Sequence, residues 1–378
     1  MQYNLFHNKK EPVSRFGMGC MRLPQKKAED GNSEIDQEES IRMIHHAIEQ
    51  GVNYFDTAYA YPGSEELLGK ALSGGYRESV TVATKCPMYK IKGREDYTVI
   101  FEEQLERLQT DYIDVYIFHC IDRPNWELVK RSGGLDFMEE QKKQGKIKAI
   151  GFSFHSDYEL FKEIIEYYPW DMCLIQLNIL DQNHQAGLKG LRYATQKDIS
   201  VVIMEPLKGG LFRENVPEEV NKLLHSHAEQ RSLIEWAFRF LYHHEDIKII
   251  LSGVSSMEQL QDNLRIFEDA VPGVMKSEDM DLINQIKDIY ASKIKVGCTG
   301  CAYCMPCPAG VNIPEIFKVY NDSFLSSWTE FGKTFYSLVA VNDGKDVSKC
   351  LKCGKCEKRC PQNISIIANL QEAHAHMI

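Results

Sequence analysis

Eight of the chain's twelve cysteines fall in two short runs, CTGCAYCMPCP at 298–308 and CLKCGKCEKRCP at 350–361. The second run has the spacing C-x2-C-x2-C-x3-C-P, in which three thiolates on one tight loop grip an iron–sulfide cube and the fourth, followed by proline, reaches a neighbouring cube. That logic predicts one [4Fe-4S] cluster on Cys298, Cys301, Cys304 and Cys360, and another on Cys350, Cys353, Cys356 and Cys307. The first run has two residues before its last cysteine where three are usual, although Pro308 follows Cys307 as expected. Two structural zinc sites are the alternative, since C-x2-C also suits tetrahedral zinc. Zinc ribbons rarely repeat four cysteines in one run with Cys-Pro endings, so iron–sulfur is the preferred reading. The remaining cysteines, Cys20, Cys86, Cys120 and Cys173, are scattered and read as small buried side chains. Cys20 and Cys86 nonetheless follow strand ends closely enough to approach a site there.

The elements ahead of the cysteine runs have their own rhythm. Up to about residue 290, eight short apolar runs alternate with longer segments of helical period: 13–20, 52–58, 79–86, 114–120, 146–153, 173–178, 200–206 and 248–254. Eight β-then-α units in about 250 residues predict a (β/α)8 TIM barrel, an α/β fold. A doubly wound open sheet would carry a glycine-rich phosphate loop, and FGMGCMRL lacks the full G-x-G-x-x-G. After Ile294 the rhythm ends, so the expected division is a barrel at 1–290 and a smaller, α-helical, ferredoxin-like domain at 291–378. Helical stretches are expected around IPEIFKVYNDSFLSSW and EFGKTFYSLVAV. This second part resembles the helical two-cluster ferredoxin modules fused to larger oxidoreductases.

Active sites of such barrels lie at the carboxyl ends of the strands. Those ends read Asp56, Lys85 and His119, with Tyr61 just past the second. Hydride arriving at a carbonyl carbon builds charge on oxygen, which calls for a proton donor and a hydrogen-bond donor at that oxygen. Tyr61 is the expected proton donor, with a pKa brought down by the Lys85 ammonium; Asp56 would pair with Lys85, and His119 would orient the substrate oxygen. Singly, each residue has an ordinary structural reading; together they make a carbonyl-reducing site.

Residues from about 10 to 270 resemble the aldo-keto reductase family, through NYFDTAYAYPGSEELLG, VTVATK, DYIDVYIFH, GKIKAIGFS, LIQLN, MEPLKGG and SGVSSMEQLQDN. The resemblance places the family's catalytic tetrad on Asp56, Tyr61, Lys85 and His119, and the histidine implies carbonyl chemistry. It places nicotinamide contacts on Ser153 and Gln176, with Phe154 where Asn is usual and Met204 where an aromatic ring commonly stacks. The cations that grip a 2'-phosphate fall on Gly253 and Gln259, while Asp262 and Asn263 match the adenine-facing pair. NAD(P)H is therefore the expected coenzyme with NAD against NADP open, and a flavin in the altered pocket is an alternative.

The net charge of −10 argues against sequence-independent nucleic-acid binding, and no run approaches a bilayer-spanning length. With no secretory signal at the amino terminus, the expected location is the cytoplasm. The charge is uneven: residues 291–378 carry ten Lys+Arg against seven Asp+Glu, a net +3, leaving −13 on the rest. Lys345, Lys349, Lys352, Lys355, Lys358 and Arg359 crowd the second run and suit an acidic ferredoxin or flavodoxin partner; a solvated lysine-rich loop is the plain alternative. Three functions compete. One is a carbonyl–alcohol oxidoreductase whose clusters relay electrons to or from a partner. The second is the same enzyme with structural clusters, the tail shaping the substrate pocket through residues such as Tyr303 or Trp328. The third is a non-catalytic electron carrier or redox sensor.

Overall fold

The computed structural model describes residues 1–6, 12–28, 33–213, 216–325, 333, 336–342 and 344–378. Two compact units emerge, Met1–Leu177 with Asp181–Pro206 and Leu241–Val274, and Asn178–Leu180 with Leu207–Phe240 and Met275–Ile378. Each of the eight expected runs forms a strand: β1 (Phe16–Gly19), β2 (Tyr54–Asp56), β3 (Thr81–Cys86), β4 (Ile113–Ile121), β5 (Ile147–Phe154), β6 (Met172–Gln176), β7 (Ser200–Met204) and β8 (Ile247–Gly253). They pair in parallel, in sequence order, and close into a barrel. The runs read as nearly continuous apolar stretches because parallel strands here are covered on both faces; all six residues of β3 are buried.

Side chains along a strand alternate between its two faces, and this period decides what fills the barrel. One buried cluster gathers Tyr54, Ala83, Val115, Ile117, Ala149, Met172, Leu174, Val202, Ile249 and Leu251, alternate positions of seven strands. Phe6 and Val13 join it from a hairpin, Tyr3–Leu5 against Pro12–Ser14, that precedes β1. Continuing the same parity toward the carboxyl ends reaches Asp56, Lys85, His119, Ser153, Gln176 and Met204. The opposite parity faces the helices: Phe152 and Phe154 both pack on Phe161. Outside the strands lie α1 (Gln37–Glu49), α2 (Ser64–Leu72), α3 (Arg94–Leu108), α4 (Arg123–Arg131), α5 (Gly134–Lys143), α6 (Tyr158–Tyr167) and α7 (Gly187–Gln196). Asp36, Asp122 and Asp157 cap α1, α4 and α6 by accepting backbone N–H bonds, satisfying donors the first turn leaves open.

The second unit contains α8 (Glu218–Ser226), most of α9 (Leu233–His243), α11 (Ser277–Lys293), α12 (Ile313–Leu325) and α13 (Ile366–Met377), whereas α10 (Met257–Glu268) belongs to the barrel unit. Its cysteine-bearing part has a small core built on Val311, Ile313, Ile316, Phe317, Ile366 and Leu370, against which Cys298, Cys304, Cys307, Cys350, Cys356 and Cys360 pack. The Asn321 side chain accepts from Lys295 N and Val296 N, 3.0 Å each, and donates to Val296 O at 2.7 Å, tying the chain that enters the first run to α12. His376 stacks on Phe324 and joins α13 to α12, and Tyr336 bonds His374 at 2.6 Å. Trp328 and much of the expected helix at EFGKTFYSLVAV lie outside the described residues; Ser337–Val341 forms a π-helical turn. No helix among the described residues is long and apolar enough to cross a membrane.

Candidate active site and iron–sulfur region

At the carboxyl end of the barrel, Lys85 Nζ donates to Asp56 Oδ1 at 2.5 Å, to the Thr57 carbonyl at 2.8 Å and to the Tyr61 hydroxyl at 3.4 Å. Lys85 is 1% exposed and Asp56 4% exposed, so this pair is held without help from water. Burial works against the ammonium, but Asp56 and then Tyr61 outweigh it, and Lys85 titrates above its ordinary value. Burial pushes the Asp56 carboxyl up, opposed by Lys85. Tyr61 departs from the sequence expectation: burial raises its phenol more than Lys85 lowers it, so the net shift is upward. Proximity of the cation was legible in sequence, the desolvation of the phenol was not.

His119 stands edge-on to Tyr61, ring centroids 6.1 Å apart, and burial followed by Lys85 and His155 drives its pKa well below the usual histidine value. It is therefore a neutral imidazole at pH 7. The register of β4 against β5 shifts between Phe118 and Ile121, with Cys120 at φ 54. A bulge of this kind re-aims the side chains at a strand end. It is stapled on both sides: Cys120 N donates to Ser153 Oγ at 2.8 Å, and Asn125 Nδ2 donates to Cys120 O at 2.8 Å.

The nicotinamide-contact positions divide. Ser153 accepts from Cys120 N and keeps its hydroxyl proton to donate, Met204 packs against the barrel's interior cluster, and Gln176 donates to Asp181 at 2.7 Å. A donor hydroxyl, a carboxamide and a polarizable thioether on one inward row fit an aromatic ring bearing an amide. Phe154 faces the helices instead, packing on Phe161. Near β8, Asn263 Nδ2 donates to Ser252 Oγ at 3.0 Å, Asp262 pairs with Arg265 at 2.9 Å, and Gln259 folds back onto Ser255 N at 3.0 Å.

Sequence reading missed three residues. Burial lowers His155 to about 4, against a hydrogen bond from Gln185 and with His184 and Lys85 adding to the drop, so a second neutral imidazole stands beside His119. Its signal was only the histidine two places after Ser153. Arg22 lays its stem over Gly253, where a side chain would meet it at 3.4 Å. Glu65, 1% exposed, accepts from Thr84 and Gln104 at 2.5 Å each, and Gln104 also donates to the Lys85 carbonyl at 3.3 Å, bracing β3 from its outer side. Of the scattered cysteines, Cys20, Cys86 and Cys173 are buried and Cys120 half-buried. Burial followed by Asp56 lifts Cys20 to about 12, placing that inert thiol beside the site.

In the cysteine region, Cys307, Cys350, Cys353 and Cys356 line one small enclosed pocket with Val311, Ile313, Leu351, Ile367 and Leu370. Burial lifts Cys304 to about 12, with Cys301, Cys298 and Cys360 adding to it, so those four thiols also neighbour one another. Gly300 N points at Cys298 Sγ, 3.4 Å away. Among the described residues no three His, Cys, Asp or Glu side chains converge tightly enough to hold a single metal ion. Four thiols around an apolar pocket fit a polynuclear iron–sulfide cube, whose sulfides are weak acceptors.

Residues 15–288 match the model of the aldo/keto reductase family, and residues 297–365 that of the 4Fe-4S dicluster domain. The NADH-specific methylglyoxal reductase of Escherichia coli is 27% identical over 296 residues, 67% of this chain and 89% of that protein. The L-galactose dehydrogenase of Arabidopsis thaliana is 26% identical over 251 residues, 61% and 78% of the two chains. Among solved structures, the holo form of the aldo-keto reductase AKR11C1 from Bacillus halodurans aligns with a TM-score of 0.62 at 26% identity, covering 76% of this chain and 96% of that one.

Proposed function

The chain belongs to the aldo/keto reductase family, and we propose that it interconverts a small aldehyde or ketone and its alcohol at Asp56, Tyr61, Lys85 and His119, with two [4Fe-4S] clusters linking that site to a one-electron partner such as an acidic ferredoxin or flavodoxin. In this reading residues 1–290 are the catalytic barrel and 291–378 the cluster domain, with ligand sets Cys298, Cys301, Cys304, Cys360 and Cys307, Cys350, Cys353, Cys356. The observation that carries it is Lys85 Nζ held between Asp56 and the Tyr61 hydroxyl in a buried site.

A nicotinamide held by Ser153, Gln176 and Met204, with Asp262 and Asn263 toward its adenosine end, would supply hydride. As charge grows on the substrate oxygen, Tyr61 donates its phenolic proton there, and Lys85 stabilises the phenolate left behind. Asp56 keeps Lys85 charged and fixed. Neutral His119 donates an N–H to the same oxygen without competing as an acid. Because burial keeps Tyr61 protonated at neutral pH, the resting site is set for reduction. Gly253 and Gln259 supply no cation to a 2'-phosphate, while Arg22 lies over Gly253, so NADH and NADPH are to be compared directly. The E. coli relative's name makes a 2-oxoaldehyde with NADH the first pair to try.

The test is anaerobic: quantify iron and sulfide, then add NADH and follow the visible absorption of the clusters with and without carbonyl substrate. Bleaching by NADH or recovery on adding carbonyl supports the relay. Turnover with clusters that stay oxidised throughout would favour clusters with a structural part only, the second reading, for which the thiols' packing against the unit's small core speaks.

A further inference from the structure

We propose that the second cysteine run is the port through which electrons pass, a docking surface for a small acidic one-electron carrier protein, centred on Leu351 and Cys353. The proposal rests on the reading that the clusters exchange electrons, and it adds where they do so and what holds the carrier.

The two runs present opposite surfaces. From Val296 to Gly310 there is no charged residue. Thr299, in the middle of the first run, is 4% exposed, and the loop following β7 lies on it: a Cβ on Gly209 would collide with the Thr299 carbonyl, and Gly209 itself sits at φ 68. Only glycine satisfies both demands. Thr299 is thus covered by the protein's own backbone, in a run that carries no charge of its own.

The second run is open. Between residues 345 and 360 six cations face two acids, a net +4 on a chain of net −10. Lys345, Lys349, Lys352, Lys355, Lys358 and Arg359 are all exposed. The two acids bond to backbone: Asp346 accepts from Ser348 N at 2.7 Å, and Glu357 accepts from Ile367 N at 2.9 Å. Among the described residues, Lys349, Lys352, Lys355, Lys358 and Arg359 make no ion pair, and they fall within eleven residues of one another. Exposed and unpaired, this cluster of five presents a positive patch that an acidic partner can meet. Leu351, 70% exposed, stands among them, and it lines the same pocket as Cys307, Cys350, Cys353 and Cys356. Cys353 is the exposed cysteine of the eight. An apolar residue ringed by cations, with a ligand thiol at the surface, combines contact, steering and a short electron path.

The exchange balances simply. One electron leaves the reduced carrier and enters the cluster held by the second run; the carrier is oxidised by one, the cluster reduced by one, and no bond or proton moves.

The test uses the anaerobic holoprotein and a plant-type two-iron ferredoxin as the acidic probe, with reduced methyl viologen as a small control. Equilibrium binding of the ferredoxin should weaken at least about tenfold in K352E/K355E and between low and high salt, while viologen bleaches the clusters of both proteins equally. L351D should weaken binding without altering iron content. Binding that ignores both salt and the substitutions would overturn the proposal, as would clusters that viologen cannot reduce. Ferredoxin binding with the expected salt dependence, beside clusters that never respond to carbonyl, would uphold the port and remove the relay to the barrel.

Discussion

At the barrel mouth Lys85 and Asp56 are closed from water and bonded to each other, with the Tyr61 hydroxyl beside them; in and just before the second cysteine run five unpaired cations and a leucine stand in solvent. The barrel residues are carried by strands whose register is set by a continuous core, so their geometry exists before any ligand arrives. The cysteine loops have little regular structure, and their thiols pack against a core of short helices. Chemistry that moves a proton and hydride needs exclusion of water and fixed donors. Exchange of single electrons with another protein needs exposure and charge.

The comparison breaks hardest on removal of iron. Anaerobic chelation should raise amide hydrogen exchange in α12 and α13 by on the order of 100-fold or more, leaving β3 and β4 protected. Equal loss in both would show that the barrel leans on the clusters.

Tyr61→Phe removes the proton donor and should cut kcat by about 10²–10⁴-fold with iron content and melting unchanged. Retained turnover would move the acid to another group.

Arg77 donates to Asp114 at 2.8 Å within the barrel, where Asp114 also accepts from Val82 N at 3.0 Å and Lys148 at 3.1 Å. Arg77→Met removes one of the two cations on a buried carboxylate, leaving Lys148 and Val82 N, and should destabilise the barrel by about 1.5–3 kcal/mol in urea unfolding. A loss under about 1 kcal/mol would mean the pocket admits water.

His155 has a folded pKa lowered to about 4 against an unfolded value near 6.5. The unfolded chain binds the proton first, so stability is full above about pH 6.5 and falls as pH drops toward 4. The half-buried ring makes the loss on the order of 1–2 kcal/mol. His155→Asn should flatten that part of the pH profile; an unchanged slope would assign it elsewhere, His244 being another histidine lowered to about 4.

The smallest effect sharpens the contrast from the other side. Leu351→Ser, at an exposed position, should change stability by no more than about 0.5 kcal/mol while weakening carrier binding. A larger loss would make Leu351 part of the fold.

Much of this was readable in the letters. Eight apolar runs became eight strands because parallel strands covered on both faces need unbroken apolar sequence. Once the strands were placed, a period of two carried the reading from Val115 and Ile117 to His119, and from Ala83 to Lys85. The cysteine spacing likewise pointed to a two-cluster domain, which the family comparison bears out. Other residues escaped for physical reasons. Phe154 lies one step off the inward row, so its packing on Phe161 became visible only with the barrel closed. His155, Glu65 and Arg22 have no motif; each acquires a role from neighbours distant in sequence.

What the sequence by itself determined is order and spacing: eight strands in turn, the polar residues at their carboxyl ends, and two closely spaced runs of cysteines. Tertiary structure alone decided desolvation and pairing. It raised the Tyr61 phenol where a nearby cation had promised to lower it, turned His119 and His155 neutral, buried Thr299 of the first cysteine run beneath the loop at Gly209 and left Cys353 of the second exposed. Periodicity is local and can be read along the chain. The loss of water around a charge depends on every group that closes over it, and those groups meet only in the folded protein.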